Sequence, residues 1–188
     1  MKPRLNDLVA TAKVVSIPLR TKFRGLTERE LLVFEGPNGW SEWAAFTEYQ
    51  DEEAATWLQA AIEWGFDEVP EPVRKQVPVN AILPAVPTNE VAKVLGRAGK
   101  FSTVKIKVAD PKQSPADDLE RILEVKNLFP EVKIRLDANG GYSVEKALEL
   151  IIQLESNSFE LEFFEQPVAT IAELAELRVE IAKRGATV

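Results

Sequence analysis

The sequence contains no cysteine and no histidine. The first absence excludes a disulfide scaffold, a thiolate metal site and a cysteine nucleophile. The second excludes serine–histidine catalysis and imidazole ligation within this chain. Proton chemistry near neutral pH is left to lysine, carboxylate or tyrosine. A metal site has to be built from oxygen donors, which suits magnesium, calcium or manganese. Positive charge is also short: lysine and arginine number 23 against 30 aspartates and glutamates, a net charge of −7. General nucleic-acid binding needs a basic face and is not expected. No apolar run reaches the ~18 residues of a membrane span. The N-terminal Met-Lys-Pro-Arg-Leu-Asn lacks the apolar core of a signal peptide. The expectation is a soluble cytoplasmic protein with no membrane partner. With 45% hydrophobic residues in a chain of 188, there is apolar material for one large domain or two small ones.

What is present is organised around Thr103–Ala109, Thr-Val-Lys-Ile-Lys-Val-Ala. Alternate residues of a strand point to opposite faces. Lys105 and Lys107 therefore share one face, and Val104, Ile106 and Val108 the other. The plain reading is an edge strand with a solvated lysine face. The other is a lysine pair inside a barrel, aimed at an anionic substrate. Two cations inside a packed sheet are costly unless something anionic lies beside them.

Before this strand, residues 8–18 read as a strand ending at Pro18, and Leu19–Thr27 as a mobile basic loop carrying Arg20, Lys22 and Arg24. Arg29–Glu35 forms a second strand, Gly36-Pro-Asn-Gly39 a turn, and Trp40–Phe46 a third strand or loop, together a meander. A helix follows from Asp51 to about Trp64, with Gly65 as its stop and Ala54, Trp57, Leu58, Ala61 and Ile62 as its apolar face. Residues 67–76, with Pro70 and Pro72 among charges, read as a linker.

Strand-like runs then begin at Val77, Thr103, Val132 and Leu161, recurring every 26 to 29 residues. Each is followed by a helical segment. Thr88 caps the first, ahead of Val91, Val94 and Leu95. Ser114-Pro115 opens the second, with Leu119, Ile122, Leu123 and Phe129 inward. Ser143 caps the third, with Ala147, Leu148, Ile151 and Leu154 inward. Thr170-Ile-Ala-Glu173 is a capping box for the fourth, with Leu174, Leu177 and Ile181 inward. Four βα units at a steady period predict an α/β fold with a parallel sheet wrapped by helices. An open doubly wound sheet and a (β/α) barrel both fit.

In a barrel, chemistry gathers at the C-terminal strand ends. Lys105 and Lys107 stand there on the second strand, Asp137 and Asn139 at the end of the third, and Glu165 and Gln166 at the end of the fourth. Each acid alone reads as a helix cap or a surface turn. Together, two carboxylates can hold a hard divalent cation, which anchors an anionic substrate and stabilises enolate-like charge. Lysine is then the base. It has to be partly neutral, and burial with nearby cations lowers a lysine pKa.

The series Lys105-Ile-Lys107, Arg-Leu-Asp137-Ala-Asn139 and Glu165-Gln-Pro resembles the enolase superfamily in its muconate-lactonizing branch. Trp40-Ser-Glu-Trp, Val77-Pro-Val-Asn-Ala and Asp137-Ala-Asn-Gly-Gly-Tyr are most similar to its actinobacterial-type o-succinylbenzoate synthase family. The resemblance covers essentially the whole chain. It implies an α+β capping domain over residues 1–75, whose Leu19–Thr27 loop closes over substrate. Residues 76–188 are then the first four βα units of a TIM-type (β/α) barrel.

The resemblance also implies Lys107 as the catalytic lysine with Lys105 as its helper, and Asp137 and Glu165 as ligands of magnesium. Arg24, Asn139 and Gln166 are carried as substrate contacts, although Arg20, Lys22 and Arg24 read more plainly as a solvated loop. The implied reaction is the syn dehydration of a succinyl-hydroxycyclohexadiene carboxylate to o-succinylbenzoate, in menaquinone synthesis.

The family barrel has a third metal-binding acid on its fifth strand and a second lysine on a later one. This sequence stops at Lys183-Arg-Gly-Ala-Thr-Val188, where a fifth strand would begin. The expectation is therefore a truncated barrel: a fragment, a shortened gene, or a half completed by another chain. Self-association through the open barrel edge is expected. Residues 1–188 alone are expected to bind magnesium no tighter than millimolar and to show no measurable dehydration. Two competing readings remain at this stage, an epimerase of dipeptides or N-acyl amino acids and a non-catalytic remnant with idle inherited acids and lysines.

Overall fold

A computed structural model describes residues 3–23 and 25–184. The chain divides into two compact units, residues 1–76 and 77–188.

The first unit begins with a short helix, α1 (Leu5–Thr11), followed by strands β1 (Lys13–Phe23), β2 (Leu26–Gly36) and β3 (Gly39–Trp43) and helix α2 (Asp51–Phe66). The strands form an antiparallel meander in the order β1-β2-β3. Two expectations change here. Residues 8–11 are helical, and the strand continues through Pro18 to Phe23, so residues 19–23 of the expected basic loop are strand, with Phe23 paired to Leu26. Proline is tolerated because β1 lies at the sheet edge, where a missing N–H need not break a ladder. The register instead shifts between Pro18 and Phe23. Phe34 is fully buried.

Helix α2 runs past the expected stop, through Gly65 to Phe66. Gly65 serves close packing. A Cβ there would lie 2.7 Å from Ser41 Oγ, and a Cβ on Gly36 would lie 2.4 Å from the Gly65 carbonyl oxygen. The helix end is closed by Asn38, whose side-chain amide donates to the Trp64 and Asp67 carbonyls at 3.0 and 2.6 Å. Trp57, expected on the inward face, is half exposed and stacks on Tyr49; the inward stripe is Ala54, Leu58, Ala61, Ile62 and Gly65.

The second unit alternates strands β4 (Ala81–Leu83), β5 (Thr103–Lys107), β6 (Lys133–Asp137) and β7 (Phe163–Glu165) with helices α3 (Val91–Leu95), α4 (Pro115–Leu128), α5 (Val144–Ser156) and α6 (Ile171–Lys183). All three strand pairings are parallel and follow chain order. Thr88 opens a single 3-10 turn leading into α3 and makes no cap bond. Ser114, Ser143 and Thr170 do cap their helices, accepting from Asp117, Lys146 and Glu173 N–H. The core lies between the sheet and the helices and contains Val104, Ile106, Ile134, Leu136, Ile122 and Leu150. Leu174 stays partly exposed while Leu177 is buried, because α6 packs on α5 through the latter's side of the helix.

Candidate active site

Parallel register brings the strand ends together. Val104, Ile106 and Val108 are buried in the core, so alternation turns Lys105 and Lys107 to the opposite sheet face. Strand β5 is paired on both sides, with β4 and β6, which rules out an edge strand with a merely solvated lysine face. The pairs Lys107–Asp137 and Asp137–Glu165 are direct register partners.

The Lys107 amine lies 2.5 Å from Asp137 Oδ2 and 2.7 Å from Asn139 Oδ1. The Lys105 amine lies 3.1 Å from both Asp137 Oδ2 and Glu165 Oε2. Asp137 is 1% exposed, and its other oxygen accepts the Asn139 N–H at 3.0 Å. Burial alone would raise this carboxyl. The lysine hydrogen bonds and the Asn139 N–H outweigh it and hold Asp137 below the usual carboxylate range. Lys105 shows the same contest with opposite sign: burial lowers its pKa, but Asp137 and Glu165 together raise it. The lowered lysine pKa expected from clustered cations does not hold for Lys105, because carboxylates are nearer than the other cations.

The strand ends share a backbone feature. Ala109, Asn139 and Gln166 all have positive φ, at 62°, 48° and 40°, a left-handed conformation uncommon for residues bearing a Cβ. Asn139 joins the cluster through its side chain. Gln166 reaches it through backbone, its carbonyl accepting the Gly140 N–H at 2.7 Å; its side chain is exposed. Arg24 lies outside the described residues.

Three charged residues near the cluster escaped the sequence reading. Arg135 shares the face of Asp137, with Nε 2.5 Å from Glu162, Nη1 3.1 Å from Asn80 Oδ1, and its guanidinium 5.0 Å above the Phe163 ring. Its signal was the alternation Lys133, Arg135, Asp137. Asp118 and Arg121 form an ion pair buried at the start of α4. Their signal was charge on the same helical stripe as Ile122 and Val125. Tyr142 donates its hydroxyl to Asp118. Burial, then the Asp118 carboxylate, push its pKa up, so it stays a donor.

Among the described residues no group of three or more acids converges as a metal cage. Asp137 and Glu165 offer oxygen donors on adjacent strand ends, already drawn together by Lys105. That donor chemistry fits magnesium, which keeps several waters and takes one or two carboxylates.

The family model described as Enolase C-terminal domain-like matches residues 88–186, and that described as Enolase N-terminal domain-like matches residues 14–65. The chain is 46% identical over 179 residues to the o-succinylbenzoate synthase of Mycolicibacterium smegmatis, covering 95% of this chain and 55% of that protein. It thus spans about half the length of the curated relatives it matches. A solved mandelate racemase/muconate lactonizing protein from Herpetosiphon aurantiacus has the same fold, with TM-score 0.69 at 20% identity over 93% of this chain and 70% of that one. The o-succinylbenzoate synthase of Thermosynechococcus elongatus BP-1, solved with magnesium in its active site, aligns with TM-score 0.53 at 20% identity over 92% of this chain and 64% of that one. An antiparallel meander with its helix, four parallel βα units and these family matches together make the chain a member of the enolase superfamily.

Proposed function

We propose that the protein acts as an o-succinylbenzoate synthase, a magnesium-dependent lyase of menaquinone synthesis in the cytoplasm, on a small carboxylate substrate. The carrying observation is the cluster of Lys105, Lys107, Asp137 and Glu165 at successive strand ends. The 46% identity to the synthase of Mycolicibacterium smegmatis supports this reaction over others of the superfamily. Asp137 and Glu165 would hold the metal. Bound there, magnesium supplies positive charge that stabilises an enolate-like oxygen.

The chain's own residues account for the rest. Two ammonium and two carboxylate groups make the cluster electrically balanced, so an anionic substrate and a divalent cation are accommodated together. With a cation held there, Asp137 would be less available to the two lysines, and the added positive charge would favour a neutral amine. Lys107, hydrogen-bonded to Asn139, would take the proton next to the substrate carboxylate and return it to the departing hydroxyl, which leaves as water as the carbon–oxygen bond breaks and the ring becomes aromatic. Lys105 supplies the adjacent positive charge.

The test supplies the cyclohexadiene substrate and magnesium to the full-length gene product and follows the aromatic product. Lys107→Ala is expected to lower turnover by about 10²–10⁴-fold. Undiminished turnover would remove Lys107 from its role. Racemisation of a dipeptide without dehydration would move the protein to the epimerase reaction.

A further inference from the structure

Asp118 and Arg121 are 1% and 0% exposed. Buried charges persist only when paired and hydrogen-bonded, and the destinations of these bonds are specific. Arg121 Nη1 donates to the Val86 carbonyl at 2.9 Å and to Gln113 Oε1 at 2.8 Å. Its Nη2 donates to the Lys107 carbonyl at 3.2 Å and to Asp118. Asp118 Oδ2 accepts the Ala109 N–H at 2.9 Å and the Tyr142 hydroxyl. These bonds end on the segments that follow β4, β5 and β6, all at the rim that carries the lysine–carboxylate cluster.

The bonds hold the backbone immediately after the Lys107 side chain, on either side of Val108. Arg121 takes the Lys107 carbonyl, and Asp118 takes the amide two residues later, where Ala109 stands at φ 62°. Between them, the Val108 N–H donates to the Asp137 carbonyl at 3.0 Å, and the Val108 side chain is buried. An alanine leaves the left-handed region readily unless something holds it there. Here a buried carboxylate does so, and that carboxylate is held in turn by Arg121 and Tyr142.

We propose that Asp118, Arg121 and Tyr142 are positioning residues that fix the backbone of Lys107 and so determine where its amine stands. Their bearing on catalysis rests on the function proposed above; the positioning itself does not. A displacement of about 1 Å in a catalytic group can cost on the order of a hundredfold in rate, so a rigid anchor behind the lysine has chemical value. The arrangement differs from a simple stabilising ion pair because three of its bonds end on backbone, at Val86, Lys107 and Ala109, and none on a neighbouring helix.

The test is lysine-resolved acylation with acetic anhydride, read by mass spectrometry, with exposed Lys146 as internal reference. In the native protein Lys107, held by Asp137 and Asn139, is expected to react several-fold more slowly than Lys146. Asp118→Asn should raise the Lys107 rate several-fold relative to Lys146, and Tyr142→Phe should raise it less. Adding Ala109→Gly to Asp118→Asn should return the rate towards the native value, because glycine adopts positive φ without steric cost.

A Lys107 rate unchanged or lowered in Asp118→Asn would overturn the proposal, as would absence of that return. An equal rise at every lysine in all variants, Tyr142→Phe included, would also overturn it, since the network would then only hold the fold together. The footprint needs no turnover. A selective footprint without dehydration counts against the proposed reaction alone. Dehydration with an unchanged footprint counts against the positioning alone.

Discussion

Asp137 is a carboxylate almost without solvent, and its charge persists because two ammonium groups and a backbone N–H meet it. Its folded-state pKa therefore lies below the unfolded value of ~3.9. Its stabilising contribution is present above about pH 4 and is lost as the pH falls through the depressed folded value. Lys105 works in the opposite direction. Its pKa is raised by Asp137 and Glu165 against its burial, so its contribution is complete below ~10.4 and is lost as pH rises through the raised value. Urea denaturation against pH should show a stability plateau between those limits. The acid-side fall should shrink in Asp137→Asn, and an unchanged fall would place the titration elsewhere.

At the scale of elements, β5 is a single strand with two unlike faces. Ile106 is fully buried against the helices, while Lys105 and Lys107 meet the acids of β6 and β7 on the other side. Ile106→Ala should cost about 2–5 kcal/mol of unfolding free energy in urea titration, since a core cavity forms that the neighbours fill only partly. Helix α4 begins with Ser114 accepting from Asp117 N–H. Ser114→Ala should cost about 1 kcal/mol, visible as a lower melting temperature by circular dichroism. A cost as large as that of Ile106→Ala would mean that Ser114 holds more than the helix end. Residues 19–23 of the expected basic loop are strand, and Phe23 pairs with Leu26 of β2, a pairing that the loop's own composition did not signal.

At the scale of the molecule, β4 and β7 each pair on one side only among the described residues. Phe163 on β7 is 38% exposed and Ile82 on β4 is 50% exposed. Unpaired strand edges with apolar side chains favour association with another chain. Residues 1–188 expressed alone are expected to elute from size exclusion as a dimer or larger species, and Phe163→Lys should shift them towards monomer. A sharp monomeric peak for the unaltered chain would show that these edges do not associate. No helix among the described residues is long and apolar enough to cross a membrane.

The alternation of Val104, Ile106 and Val108 with Lys105 and Lys107, and the recurrence of strand and cap signals, determined the parallel βα order. Such patterns are local, and period and capping chemistry are written in neighbouring residues. The spacing put Asp137 and Glu165 at the ends of successive strands, and the sequential order of the sheet, which spacing left open, made those strands neighbours. Only the tertiary structure decided which amine meets which carboxylate, that Lys105 is raised and not lowered, and that Gln166 contributes its backbone carbonyl. It alone assigned Asp118, Arg121, Tyr142 and Arg135 their partners. A charge on an inward helical stripe looks like a flaw in amphipathicity until the opposing carbonyls are brought to it. Those carbonyls lie at the end of β5 and in the segment after β4, as far as 35 residues away for Arg121 and Val86, and their position depends on the packing of the whole sheet.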